Sequence, residues 1–205
     1  MDLFFKGVVI GISIAAPVGP IGILCIRRTL AEGRLVGFAS GLGAATADAI
    51  YGAIAGFGLT FISGFLVEQQ VWLRLVGGVF LCYLGIRAFI SDVAEETIST
   101  DRRGVLFAYG STFFLTLTNP MTIISFAAVF AGLGLAISGG EYVSAAFLVL
   151  GVFSGSAAWW LILSGLAGLL REKVTGQVLR WINRISGAII VGFGLYALVS
   201  IWFLV

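Results

Sequence analysis

One carboxylate and two interrupted apolar runs carry the chemistry in this sequence. Asp48 is the only acidic residue deep within an apolar run. A carboxylate at the centre of a bilayer costs roughly 2.5–3.5 kcal/mol on insertion scales, so it is expected to face protein or water and not lipid. It falls in register with Gly33, Gly37, Gly41, Ala45, Gly52 and Gly56 at steps of three and four. Small-residue series of this kind mark close helix contacts within membranes. Asp48 is therefore expected inside a helix bundle, where it could exchange a proton for a substrate ammonium. Holding helices together through a hydrogen bond to a neighbouring backbone is the plainer alternative.

The interruptions are "PVGP" at 17–20, inside "VVIGISIAAPVGPIGILCI", and "TLTNP" at 116–120. Proline in a helix interior costs about 3 kcal/mol or more and frees a carbonyl. In a bilayer, freed backbone groups are tolerated where protein or a watery cavity satisfies them. Proline suits the first turn of a helix, so Pro20 and Pro120 are each expected to begin a half-helix near the membrane midplane. Such N-termini present free N–H groups and a partial positive charge that suit an anion such as a carboxylate. Pro17, Gly19, Pro20, Thr118, Asn119 and Pro120 are thus the candidate substrate-binding residues, with Thr116 close by. With Asp48 as the opposite pole, the site would fit a small zwitterion such as an amino acid. Kinks that serve only helix packing are the competing explanation.

These residues need a membrane scaffold. Of 205 residues 60% are apolar and only 11% charged, at a mean hydropathy of +1.10; soluble domains carry about 25% charged residues. A soluble domain and a nucleic-acid-binding module are both excluded. Six apolar runs are long enough to span the roughly 20 residues a crossing helix needs: Leu3–Ile26, Leu35–Phe65, Val71–Ile90, Val105–Ile137, Tyr142–Leu170 and Leu179–Val205. They lack the alternation of barrel strands. The first is too long for an ordinary signal-peptide core, and Pro17 follows the only small-residue site, Ala15-Ala16, so it is expected to remain uncleaved. Two of the twelve Lys and Arg, Lys6 and Arg74, fall on one side of this layout. Arg27, Arg28, Arg34, Arg87, Arg102, Arg103, Arg171, Lys173, Arg180 and Arg184 fall on the other. The bias places both termini outside the cytoplasm, and the basic residues are read as topology signals.

The two halves look related. Pro20 answers Pro120, "GLGAATAD" (41–48) can be set against "GVFSGSAA" (151–158), and Trp72, Gly78 and Gly85 match Trp181, Gly187 and Gly194 at a displacement of 109. An odd number of spans per copy inverts the second copy, as in many secondary transporters. The expected architecture is all-α, with six transmembrane helices in two inverted three-helix repeats, residues 1–90 and 105–205. Residues 91–104 form a cytoplasmic linker. Ala158 stands where the first copy has Asp48, so the second copy is expected to lack the acid.

With these residues assembled, the chain resembles the LysE/RhtB family of amino-acid exporters over essentially its full length. The resemblance lies in "APVGP", "RRTLAEGRLVGFASGLGAATADAIYGAIAGFGL" and "TLTNPMTIISF". It implies export of amino acids or close derivatives across a bacterial cytoplasmic membrane, driven by protons, by a homodimer without cofactor. Pro17, Gly19, Pro20, Asn119 and Pro120 match its proline motifs and Asp48 its helix 2 acid. Many members carry Lys after the Asn-Pro, where this chain has Met121; a central cation is missing there.

Two rival chemistries use related architectures. A thiol oxidoreductase needs cysteines facing each other beside the prolines, whereas Cys25 aligns with Ser125 and Cys82 with Val191. A divalent-metal exporter needs several oxygen ligands including carboxylates, and one acid with no histidine is a poor cage. Trp159 and Trp160 lie near the middle of the fifth run, where lipid contact is expected for at least one and a wall position, against a substrate cation, is open to the other.

Overall fold

The computed structural model describes residues 2–17, 19–56, 68–91, 102–119, 122–123, 125–126 and 142–203. Among them the chain is all-helical, with seven α-helices: α1 (Asp2–Ala15), α2 (Pro20–Glu32), α3 (Arg34–Gly56), α4 (Gln70–Ile90), α5 (Arg102–Leu117), α6 (Tyr142–Leu170) and α7 (Gly176–Val199). Short 3-10 turns follow α6 (Arg171–Lys173) and α7 (Ser200–Phe203). Val71–Ile90, Tyr142–Leu170 and Gly176–Trp202 are each long and apolar enough to cross a membrane, at mean hydropathies of 1.7, 1.9 and 2.0. Leu3–Ala15 and Pro20–Glu32 make a fourth span if taken together, bent by 82°. The ends of the second and fourth expected spans, Met121 and most of the 91–104 linker lie outside the described residues.

The outside of these helices is apolar. Val76, Val79, Ile86 and Phe89 on α4, and Phe147, Leu150, Leu161 and Leu166 on α6, are all exposed. The inside is small and partly polar, the reverse of a soluble bundle. Lipid tails match exposed Leu and Val, so helices associate in a membrane by close packing and not by hiding apolar surface.

Glycines set that packing. A Cβ at Gly11 would strike the Val152 carbonyl and one at Gly155 the Val8 carbonyl, so α1 and α6 run side by side in backbone contact, in the same direction. α3 and α5 also run together, from Gly43 against the Tyr109 carbonyl to the Tyr51 hydroxyl, which donates to the Leu117 carbonyl. α3 crosses α6 in the opposite sense, with Gly41 on Trp160 and Gly52 on Val152. α4 and α7 are likewise antiparallel: Gly78 abuts Gly194 and Gly85 abuts Gly187. Between these two glycine pairs the Cys82 thiol sits 4.0 Å from the Val191 carbonyl.

Two of the residues read as topology signals belong to the interior. Arg27 and Arg28 are 7% and 3% exposed, because α2 runs on past Ile26 to Glu32 and carries both into the bundle. The Arg27 guanidinium donates to Asn183 of α7 at 3.0 Å. Arg28 donates to the Ser40 and Thr112 hydroxyls at 2.9 and 3.1 Å, to the Ala108 carbonyl at 3.1 Å and to the Ser111 hydroxyl at 2.9 Å. Those three hydroxyls each donate to a carbonyl of their own helix, which turns their lone pairs toward the arginine. One side chain thereby ties α2 to α3 and α5.

Candidate functional site

The first break opens where the sequence predicts it. α1 ends at Ala15, and α2 starts with Pro20 in its first turn and Gly19 as its N-cap. No side chain caps that end; the first helical bond runs from the Ile23 N–H to the Gly19 carbonyl at 3.1 Å. The N–H groups ahead of it have no partner within the helix. Pro20, Ile21 and Gly22 border a cavity of about 430 Å³, a volume typical of small-molecule sites.

The second break faces the same cavity. α5 stops at Leu117, and the N–H groups of Thr122 and Ile123 return to the Asn119 carbonyl at 3.1 and 3.3 Å. Helical residues resume at Thr122 and Ile123. Carbonyls near the end of α5 are met locally: the Thr118 hydroxyl donates to Phe114 at 2.9 Å, and the Tyr51 phenol serves Leu117. Pro120 itself lies outside the described residues.

Of the sequence candidates, Pro17, Gly19, Pro20, Asp48, Thr118 and Asn119 all line this one cavity, as does Thr116. Every one of the seven helices contributes to its wall. Asp48 is 3% exposed. The Ser156 hydroxyl donates to its Oδ2 at 2.7 Å, and the Trp160 indole N–H donates to that hydroxyl oxygen at 3.1 Å. Ser156 and Trp160 are one turn apart on α6, so a single helix face supplies the whole chain of bonds. Trp160, 4% exposed, is the tryptophan that walls the cavity.

Sequence reasoning missed two parts of this site. The side chain that meets Asp48 is Ser156, on the buried face of α6; a serine within "FSGSAA" looks like a packing residue. Arg74, read as an outside charge, also lines the cavity, together with Phe193, Tyr196 and Ser200 from the far end of the chain. The cysteines are free: Cys25 is buried in an apolar cluster, and Cys82 meets α7.

The sequence profile of the LysE type translocators matches residues 12–201. The chain is similar to the proposed amino acid efflux protein YcgF of Bacillus subtilis, 29% identical over 96% of this chain and 95% of that protein. It is also similar to the threonine efflux protein of Salmonella typhimurium, at 25% over 98% and 99% of the two chains. The threonine efflux protein of Escherichia coli K12 is 26% identical over 89% and 90%. No solved structure matches the chain.

Proposed function

We propose an amino-acid export function for this chain, which belongs to the LysE type translocator family. The substrate would be a small amino acid or close derivative, moved out of the bacterial cytoplasm in exchange for a proton. The observation that carries this reading is the convergence of both breaks and Asp48 on one cavity. A free helix N-terminus attracts a carboxylate, and the carboxylate of Asp48 attracts an ammonium or a proton. The efflux names of the relatives point to the same substrate class. Asp48 is the only carboxylate among the described cavity residues, too few for a divalent-metal cargo.

In this reading Pro17, Gly19, Pro20, Thr118, Asn119 and Pro120 bind the substrate and Asp48 couples its movement to protons. The six spans form two inverted copies, residues 1–90 and 105–205. The packing supports that arrangement. Gly78 and Gly85 lie 109 positions before Gly187 and Gly194, and each meets the other's counterpart. A two-fold relation requires that exchange, in which i meets j′ and j meets i′. Both termini outside the cytoplasm and a homodimer complete the proposal.

Counterflow in proteoliposomes tests it. Purified protein is expected to exchange labelled L-threonine or another small amino acid from a panel, and an imposed pH gradient to drive net movement. Asp48→Asn is expected to abolish the response to the gradient. A wild-type protein that moves no amino acid overturns the function; a gradient response that survives Asp48→Asn overturns the coupling role.

A further inference from the structure

The cavity holds a cation that the two breaks do not explain. Arg74 projects from the first turns of α4 into its wall, half-buried, on the same cavity as Asp48. Its Nη1 donates to the Ser200 hydroxyl at 2.7 Å and to the Ser200 carbonyl at 3.4 Å. That hydroxyl donates in turn to the Ala197 carbonyl at 2.8 Å. Ser200 follows directly on α7, so the guanidinium is pinned between two helices that are themselves locked glycine against glycine.

We infer that Arg74 shares the carboxylate of the transported amino acid with the half-helix N-termini on the same cavity and sets the preference of the cavity for zwitterions over amines. This rests on the reading of the cavity as the substrate site. A guanidinium presents five N–H donors in a planar fork matched to a carboxylate, and Arg74 brings that fork to the cavity wall. Asp48 and Arg74 give the cavity one anionic and one cationic pole. A ligand with an ammonium and a carboxylate satisfies both, whereas an amine without a carboxylate offers the arginine at most a neutral acceptor in place of a charge-assisted pair. Gly77, one turn further along α4, stands beside Thr118, so Arg74's helix runs next to the second break.

The test is counterflow of labelled L-threonine into proteoliposomes, with L-threonine and its carboxylate-free analogue L-threoninol as competitors. For wild type, threonine is expected to compete about ten- to a hundredfold better than threoninol, the range for one charge-assisted pair. Arg74→Gln is expected to raise the KM for threonine by a similar factor with little change in maximal rate, and to erase the preference. Arg74→Lys, which keeps the charge without the fork, should fall between. Ser200→Ala keeps the cation, loosens its anchor and should raise the KM a few-fold. If wild type transports threonine and Arg74→Gln retains both KM and preference, the assignment is wrong while the transport function stands. Equal loss of affinity for threonine and threoninol in Arg74→Gln and Arg74→Lys marks a structural role and also overturns it. A wild-type protein that moves no amino acid removes the function and this assignment together.

Discussion

Asp48 and Arg28 are both 3% exposed, and the protein keeps the two charges in opposite ways. Arg28 is enclosed: four neutral acceptors from α3 and α5 surround its two terminal nitrogens, and the Phe107 ring lies 5.8 Å from its guanidinium carbon. Asp48 accepts one hydrogen bond among the described residues, and its carboxylate borders the cavity. A buried charge enclosed by fixed dipoles has little left to offer a visitor; it positions helices. A buried charge with one neutral partner and open space beside it is suited to receive a mobile opposite charge. Burial alone does not separate structure from function; the supply of partners does.

That contrast can be broken at either end. The largest expected effect is at Asp48. Asp48→Asn should eliminate pH-driven transport while the melting temperature of the detergent-purified protein stays at or above that of wild type, since an uncompensated buried charge is removed. A protein that instead loses its fold would put Asp48 in the same structural class as Arg28. The next effect is at the cage. Ser111→Ala removes the hydroxyl that accepts from Arg28 Nη2 and should lower stability by about 1.5–3 kcal/mol, measured by thermal or denaturant unfolding. The KM for threonine should not change. Smaller still is Arg28→Met. Ser40, Ser111 and Thr112 already donate within their own helices, so removing the charge strands no donor. Its cost should stay below that of Ser111→Ala, because a buried ionic group can often be replaced by an apolar one of similar volume at little loss. The reverse order would mean that the arginine, and not the satisfaction of its donors, carries the stability. Ser156→Ala is expected to have the smallest effect, a few-fold change in transport KM with the gradient response retained.

The same contrast explains what the sequence revealed. Asp48 and the three prolines stand out because each is expensive in a bilayer unless a cavity or a partner compensates. Six residues chosen on that ground line one pocket. Arg28 and Arg74 were hidden because arginines near span ends are normally topology signals. Which of them turn inward depends on where a helix stops, and α2 extends past Ile26 before Gly33 ends it. Ser156 was hidden because alternating small residues give no sign of which face meets α3. A two-residue difference in register separates buried Ser156 from exposed Ala158. The helices α4, α6 and α7 match three of the expected spans within a few residues, since nothing interrupts their apolar runs.

Gly33 alone joins α2 to α3. It is the one described residue with a positive φ, at 111°, and its N–H reaches back to the carbonyls of Arg28 and Thr29 at 3.1 Å each. Four residues on, Gly37 has no room for a Cβ against the Thr29 side chain. A joint this short has no slack, and the guanidinium of Arg28 bolts its two arms together at Ser40. The half-helix and its neighbour therefore travel as one stiff piece. Any rocking that exposes Asp48 first to one side of the bilayer and then to the other has to flex at some place other than this joint.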